Sequence, residues 1–191
     1  MGASTGVLSV LIFLHFLRIA SGSVGWSSRL TVRQPKYVDV DSTPVLLGNR
    51  VYVASGAGGV FALDRTTGLT VWSRSLGDKD GVGLSELTTD GTNLYVTAAT
   101  DGVFALDLDG NVLWQHAVAG GGDPSMPLLL ADYVLVSYAN FGLLALRKSS
   151  GDLVQYFDPG GGISAAPSLG AGASLYVVSN RGTLFSMTLD E

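Results

Sequence analysis

The stretch Gly59-Val-Phe-Ala-Leu-Asp64 decides the fold, because it occurs twice. The same six residues stand again at Gly102-Val-Phe-Ala-Leu-Asp107, and weaker copies follow at Gly142-Leu-Leu-Ala-Leu-Arg147 and Gly182-Thr-Leu-Phe-Ser-Met187. The four glycines are spaced by 43, 40 and 40 residues. A second pattern precedes each copy: Arg50-Val-Tyr-Val-Ala54, Asn93-Leu-Tyr-Val-Thr97, Tyr133-Val-Leu-Val-Ser137 and Ser174-Leu-Tyr-Val-Val178. After the first two copies a glycine is followed four residues later by tryptophan, Gly68 to Trp72 and Gly110 to Trp114; the third has Gly151 ahead of Gln155-Tyr156. A fixed period of this size marks a repeat architecture.

Each unit reads as four short strands; in the first they cover 44–46, 50–54, 59–64 and 69–73. The strands are dense in Val, Leu, Tyr and Phe, which suit a pleated, half-buried surface. The turns Gly48-Asn49, 55–58 and 65–68 hold residues that accept positive φ or bond back to their own backbone. No stretch keeps a helical period. One four-stranded sheet cannot bury both its faces, whereas sheets stacked radially shield one another. The expected fold is therefore all-β, a β-propeller array of about four four-stranded antiparallel blades at 42–77, 85–120, 125–160 and 164–191, the last one incomplete. Arg29-Leu-Thr-Val-Arg33, within a linker over 24–41, alternates as a closing strand would. The alternatives are the pairing of two half-rings or a fragment of a larger ring, since open faces and strand edges are adhesive.

Composition agrees and excludes much. The chain of 191 residues is 47% hydrophobic, enough for a core or a row of small ones. Only 14% is charged, and the net charge is −5, which excludes disorder and offers no basic footprint for nucleic acid. There is no cysteine, so disulfides, thiolate metal sites and a cysteine nucleophile are ruled out. Residues 1–23 hold the one long apolar run, Gly6 to Ala20, with an uninterrupted core at 7–14 that is too short for a membrane span. It reads as a signal peptide, an anchor or an accidental start; Ala20-Ser21-Gly22 is a usable cleavage site, while the first five residues lack Lys and Arg. An export segment would place the chain in the periplasm or cell envelope, with membrane contact only through that leader if it is retained.

Catalytic chemistry is hard to assemble. His15 lies in the leader and His116 follows Trp114, so no Ser–His–Asp set can be drawn. The glycine runs 56–59, 120–122 and 160–162 have no helix after them to cradle a phosphate, and read as connections. Asp107-Leu-Asp109-Gly110-Asn111 lacks the distant glutamate of a calcium loop and reads as a tight hairpin. Trp72, Trp114 and Tyr156, one per unit, read as packing between blades rather than a stacking platform for a ligand.

The run Ala62-Leu-Asp64-Arg-Thr-Thr67-Gly68-Leu-Thr-Val-Trp72 resembles the A-x-D-x-x-T-G-x-x-x-W blade motif of PQQ-type propellers, whose tryptophan docks between blades. The second unit keeps Ala105, Asp107, Gly110 and Trp114 with a turn one residue shorter; the third keeps Ala145 and Gly151. More narrowly, Asp39-Val-Asp41-Ser-Thr-Pro44-Val-Leu-Leu-Gly48, its blade and the ending from Gly182 resemble the C-terminal half of BamB-type proteins, eight-bladed periplasmic lipoproteins of outer-membrane β-barrel assembly. The resemblance covers about residues 37–191. It implies a non-catalytic scaffold that docks on the barrel-insertion subunit, with no enzyme activity and no cofactor. It also implies that Asp39 and Asp41 contribute to docking. On an extended segment their carboxylates face the same way and could receive a partner's Arg or Lys; read from the residues alone, the same pair caps a turn ahead of Pro44. This chain has half the blades and no lipid-bearing cysteine. Two alternatives stay open: a PQQ-dependent dehydrogenase-like domain, for which the chain lacks an adjacent cysteine pair, and a propeller fragment with no function of its own or with self-association through its open blade edges.

Overall fold

The structure is a computed structural model that describes residues 5–10, 13–18, 20–30, 42–56, 59–76 and 83–188. Among these residues there are only strands and turns, in five antiparallel sheets. Three sheets are complete four-stranded blades. Blade 1 holds β4 (Val45–Leu47), β5 (Arg50–Ser55), β6 (Gly59–Asp64) and β7 (Thr70–Ser75). Blade 2 holds β8 (Leu84–Thr89), β9 (Asn93–Ala98), β10 (Gly102–Asp107) and β11 (Val112–His116). Blade 3 holds β12 (Leu128–Leu129), β13 (Tyr133–Ser137), β14 (Leu143–Arg147) and β15 (Leu153–Phe157). In each the strands pair in chain order. This is the expected propeller-blade array.

The two end sheets have three strands each. The last has β16 (Ser168–Leu169), β17 (Ser174–Val178) and β18 (Leu184–Thr188), with nothing paired beyond β18 among the described residues. The N-terminal sheet has β1 (Thr5–Val10), β2 (Phe13–Arg18) and β3 (Ser23–Arg29). This differs from the reading of 1–23 as a leader and 24–41 as a linker. Short runs of Val, Leu and Phe compose the core of a leader and the middle strands of a blade alike, so periodicity does not separate them. Arg29, the first residue of the expected closing strand, ends β3 and pairs with Phe13 instead of β18; 31–33 lie outside the described residues.

The sheets stack in sequence order. Val51, Val53, Phe61 and Leu63 of blade 1 pack against Leu14, Leu30 and Trp26. On its other face Tyr52, Ala54, Val60 and Ala62 pack against Leu87, Leu94, Val96 and Phe104 of blade 2. The opposite face of blade 2, with Tyr95, Val103 and Ala105, meets Val134, Val136 and Leu146 of blade 3. Leu135 and Leu143 then meet Leu175 and Val177 of the last sheet. Because each middle strand is covered on both faces, its residues are apolar without alternation, the composition of doubly buried strands.

The pairing of the last two strands carries one irregularity in each complete blade and in the N-terminal sheet. The register shifts after Phe16, Ala62, Ala105 and Ala145. Such a bulge kinks the strand and raises its twist. In the N-terminal sheet it falls between β2 and β3, whose Trp26 lies opposite Phe16 as Trp72 lies opposite Ala62. In the last sheet Tyr176 pairs with Ser186, whereas Tyr52 pairs with Ala62 and Tyr95 with Ala105. Ser186, not Phe185, therefore takes the small-residue place, and the fourth copy of the repeat is one residue longer than the glycine spacing suggested.

Candidate functional site

The blade motif forms a turn and a dock. Asp64 Oδ1 accepts the backbone N–H of Thr66 and Thr67, both at 2.9 Å, and the Thr67 hydroxyl at 3.0 Å, while Oδ2 accepts the Asn49 amide at 2.7 Å. Asp107 does the same in the shorter turn, taking the N–H groups of Asp109 and Asn111 at 3.0 and 2.8 Å. These bonds, from Thr67 first at Asp64 and from Asn111 first at Asp107, hold both carboxyls below their ordinary range. The segment 107–111 is thus a hairpin turn, and no group of three metal-ligating side chains occurs among the described residues.

Each turn ends in a glycine on which the previous sheet's tryptophan rests. Gly68, Gly110 and Gly151 have φ of +74°, +83° and +75°. The indole N–H of Trp72 donates to Leu108 O at 3.0 Å and that of Trp114 to Lys148 O at 2.7 Å. Trp26 does the same to Arg65 O at 2.9 Å, and sequence reasoning missed it. The signal was present: Gly22 precedes Trp26 by four residues, as Gly68 precedes Trp72, and Gly22 has φ of +65°. Tyr156 is not the third member of the set. Gln155 lies opposite Ala145, where Trp72 faces Ala62 and Trp114 faces Ala105; Tyr156 pairs with Leu144, is half-exposed, and meets Phe141 edge-on at 6.4 Å. Other polar contacts tie neighbouring blades. Lys148 reaches Asp90 at 3.5 Å and lies 5.9 Å from the Tyr95 ring centre. Burial pushes the Tyr95 hydroxyl up to about 12, and it donates to Asp90 Oδ2 at 3.0 Å. Burial works against the Asp90 carboxylate, but the N–H groups of Asn93 and Thr92, the Tyr95 hydroxyl and the Lys148 charge hold it low.

Asp39 and Asp41 lie outside the described residues. The described chain resumes at Ser42. Ser42 is buried, donates to Ala54 O at 2.6 Å and accepts the Ala54 N–H at 2.9 Å. Blade 3 repeats the latch, with the Ser125 hydroxyl accepting the Ser137 N–H at 3.0 Å. Ahead of Pro44 the chain is thus locked to β5 of blade 1, and Thr43 N–H reaches Glu86 Oε2 of blade 2 at 3.4 Å. His116 ends β11, half-buried and opposite Val103. The runs 120–122 and 160–162 are connections between sheets, with Gly120, Gly122, Gly160 and Gly162 at positive φ.

The family description that matches residues 14–191 is outer membrane protein assembly factor BamB. The chain belongs to the BamB family. A BamB of Escherichia coli (strain K12) is 37% identical over 195 residues, covering 98% of this chain and 47% of that protein. This chain therefore spans about half the length of the curated relatives it matches. The crystal structure of BamB from Moraxella catarrhalis superposes with a TM-score of 0.55 at 19% identity, covering all of this chain and 68% of the other. Quinohemoprotein alcohol dehydrogenase from Comamonas testosteroni gives a TM-score of 0.73 at 14% identity, covering 99% of this chain and 42% of that one. At such identities the likeness is one of fold. The BamB match begins inside β2, so it takes in most of β2, within the span read as a leader, and β3, within the span read mainly as a linker.

Proposed function

We propose that the chain is a non-catalytic protein–protein scaffold of the outer-membrane β-barrel assembly type, working in the periplasm or cell envelope. The observation that supports this most is the BamB match over residues 14–191, carried on stacked sheets. The docking element is the segment with Asp39 and Asp41, held on one side by the buried Ser42 latch and meeting a basic side chain of the barrel-assembly subunit. A binding titration against that purified subunit tests it. Asp39→Lys with Asp41→Lys should weaken the complex at least about tenfold with an unchanged melting curve; equal affinity would refute the docking role.

A second reading, self-association, is favoured by the open face of the last sheet. Tyr52 and Tyr95 are 2% and 0% exposed beneath the next sheet, whereas the equivalent Tyr176 is 37% exposed beside Val178 and Leu184. These three uncovered apolar side chains can pair with the same face of a second copy. Light scattering that finds a monomer at all concentrations would dismiss it.

A further inference from the structure

Each docking tryptophan is followed, two residues on, by a side chain on the same face of its strand, and in two of the three seams that side chain crosses to the next sheet. Ser28, after Trp26, donates its hydroxyl to Gly68 O. Arg74, after Trp72, donates from Nε to Gly110 O at 2.7 Å and from Nη2 to Asn111 Oδ1 at 3.4 Å. His116 holds this place after Trp114, opposite Val103 as Arg74 is opposite Val60. Among the described residues no side chain donates to Gly151 O, the counterpart of Gly110 O. Asp152 stands where Asn111 does, since the Arg147 N–H donates to its carbonyl as the Asp107 N–H donates to that of Asn111. Asp152 Oδ2 accepts the Ser150 hydroxyl at 2.6 Å. The bases near it in sequence are turned elsewhere, Arg147 over the Tyr133 ring at 5.7 Å and Lys148 to Asp90 at 3.5 Å. The seam between blades 2 and 3 thus keeps the acceptors of the arginine, one of them now a carboxylate, and lacks the arginine.

The same seam is open. A groove of ≈290 Å³ between β11 and β15 is lined by His116, Val118, Phe141, Leu144, Leu153 and Tyr156. In the seam between blades 1 and 2 the place of Tyr156 is taken by Gln115, opposite Phe104 as Tyr156 is opposite Leu144, and its amide donates to Asp101 O at 3.0 Å. Here Phe141 and Tyr156 present rings instead, which suit the flat head and apolar stem of an arginine. Leu153, which follows Asp152 directly, joins the groove to the acceptors. All of these residues lie within or directly beside the strands of two complete blades.

We propose that this groove and the Gly151–Asp152 turn form a docking site for an arginine side chain of a partner polypeptide. Arg74 identifies the occupant, because the chain itself places a guanidinium on the equivalent carbonyl and side-chain oxygen one blade earlier. The exposed Asp152 supplies the opposite charge, and the planar fork of a guanidinium can serve both acceptors at once.

The scaffold reading supplies only the setting for this site, and a small-molecule probe separates the two. N-acetyl-argininamide is titrated into the isotope-labelled full chain and followed by amide chemical shifts, with N-acetyl-citrullinamide, its uncharged isostere, as control. Saturable shifts centred on Gly151, Asp152 and Leu153 are expected, with Kd of about 10 mM or tighter and the citrulline amide at least about tenfold weaker. His116→Arg should supply the guanidinium from within, raising the thermal midpoint and abolishing the titration. Asp152→Lys, on an exposed turn, should reduce affinity at least about tenfold and decides the matter if His116→Arg does not fold. No saturable shifts at these three residues, equal binding of the citrulline amide, or unchanged affinity in the folded variants would overturn the site and leave the docking role of Asp39 and Asp41 untouched.

Discussion

Trp72 lies directly on Gly110 of the next blade: a Cβ added at residue 110 would stand 2.9 Å from the indole Cε3. The relation repeats twice, with Trp26 on Gly68 and Trp114 on Gly151, where the added Cβ would be 2.5 Å away. A side chain is therefore excluded at these glycines by two independent causes, the positive φ and the ring of the preceding sheet.

Those causes can be separated. Gly91 has φ of +91° and open space around its missing Cβ. Gly91→Ala should cost about 1 kcal/mol, the backbone term alone. Gly110→Ala should cost clearly more, about 2–4 kcal/mol, because the Trp72 ring must also move. Urea unfolding of both variants checks this; equal costs would show that the ring yields freely.

The tryptophans themselves should rank by burial. Trp114 is 9% exposed and closes one of the apolar clusters. Trp114→Ala should lose about 3–5 kcal/mol in denaturant unfolding, and the less buried Trp72 somewhat less. Trp26→Ala should release the N-terminal sheet first, seen as faster amide exchange in β2 and β3 before global unfolding. Uniform exchange across all five sheets would contradict that order.

The Ser42 latch serves a buried backbone N–H. Ser42→Ala leaves the Ala54 N–H without its hydroxyl acceptor and should cost about 1–3 kcal/mol. Ser42→Thr keeps the oxygen and should recover part of that loss. Thermal unfolding distinguishes the two, and identical curves for both variants would exclude the latch.

Acid should act on the turns. The carboxyls of Asp64, Asp90 and Asp107 are all lowered from 3.8. Their contribution is fully present above the unfolded value of about 4 and is lost as pH falls through the lower folded values. Asp107→Asn should therefore differ from the parent more at pH 7 than under strongly acid conditions, where both turns are uncharged. A gap in denaturant midpoint that stays constant on acidification would rule this out.

The strands of the four repeat units were legible because their signals are local. Gly59–Asp64 and Gly102–Asp107 carry the same residues, the same turn aspartate and the same following glycine and tryptophan. The N-terminal sheet was not legible as a sheet, since Phe13–Arg18 lacks the Gly-Val-Phe-Ala-Leu-Asp wording and its apolar run fits a leader as well as a strand. Gly22 and Trp26 preserve only the spacing. The place of Gln155 was hidden for another reason: Tyr156 beside it is aromatic, and only the bulge after Ala145 settles which of the two faces the next sheet.

By itself, then, the sequence determined the strand order, the turn chemistry and the kind of unit being repeated, because these depend on residues within a few positions of one another. The tertiary structure decided which faces are covered, where the repeat slips by a residue, and which residue of blade 3 stands in the tryptophan's place. Those properties arise from sheets meeting about forty residues apart along the chain, and contact at that separation is set by register and twist rather than by any local pattern.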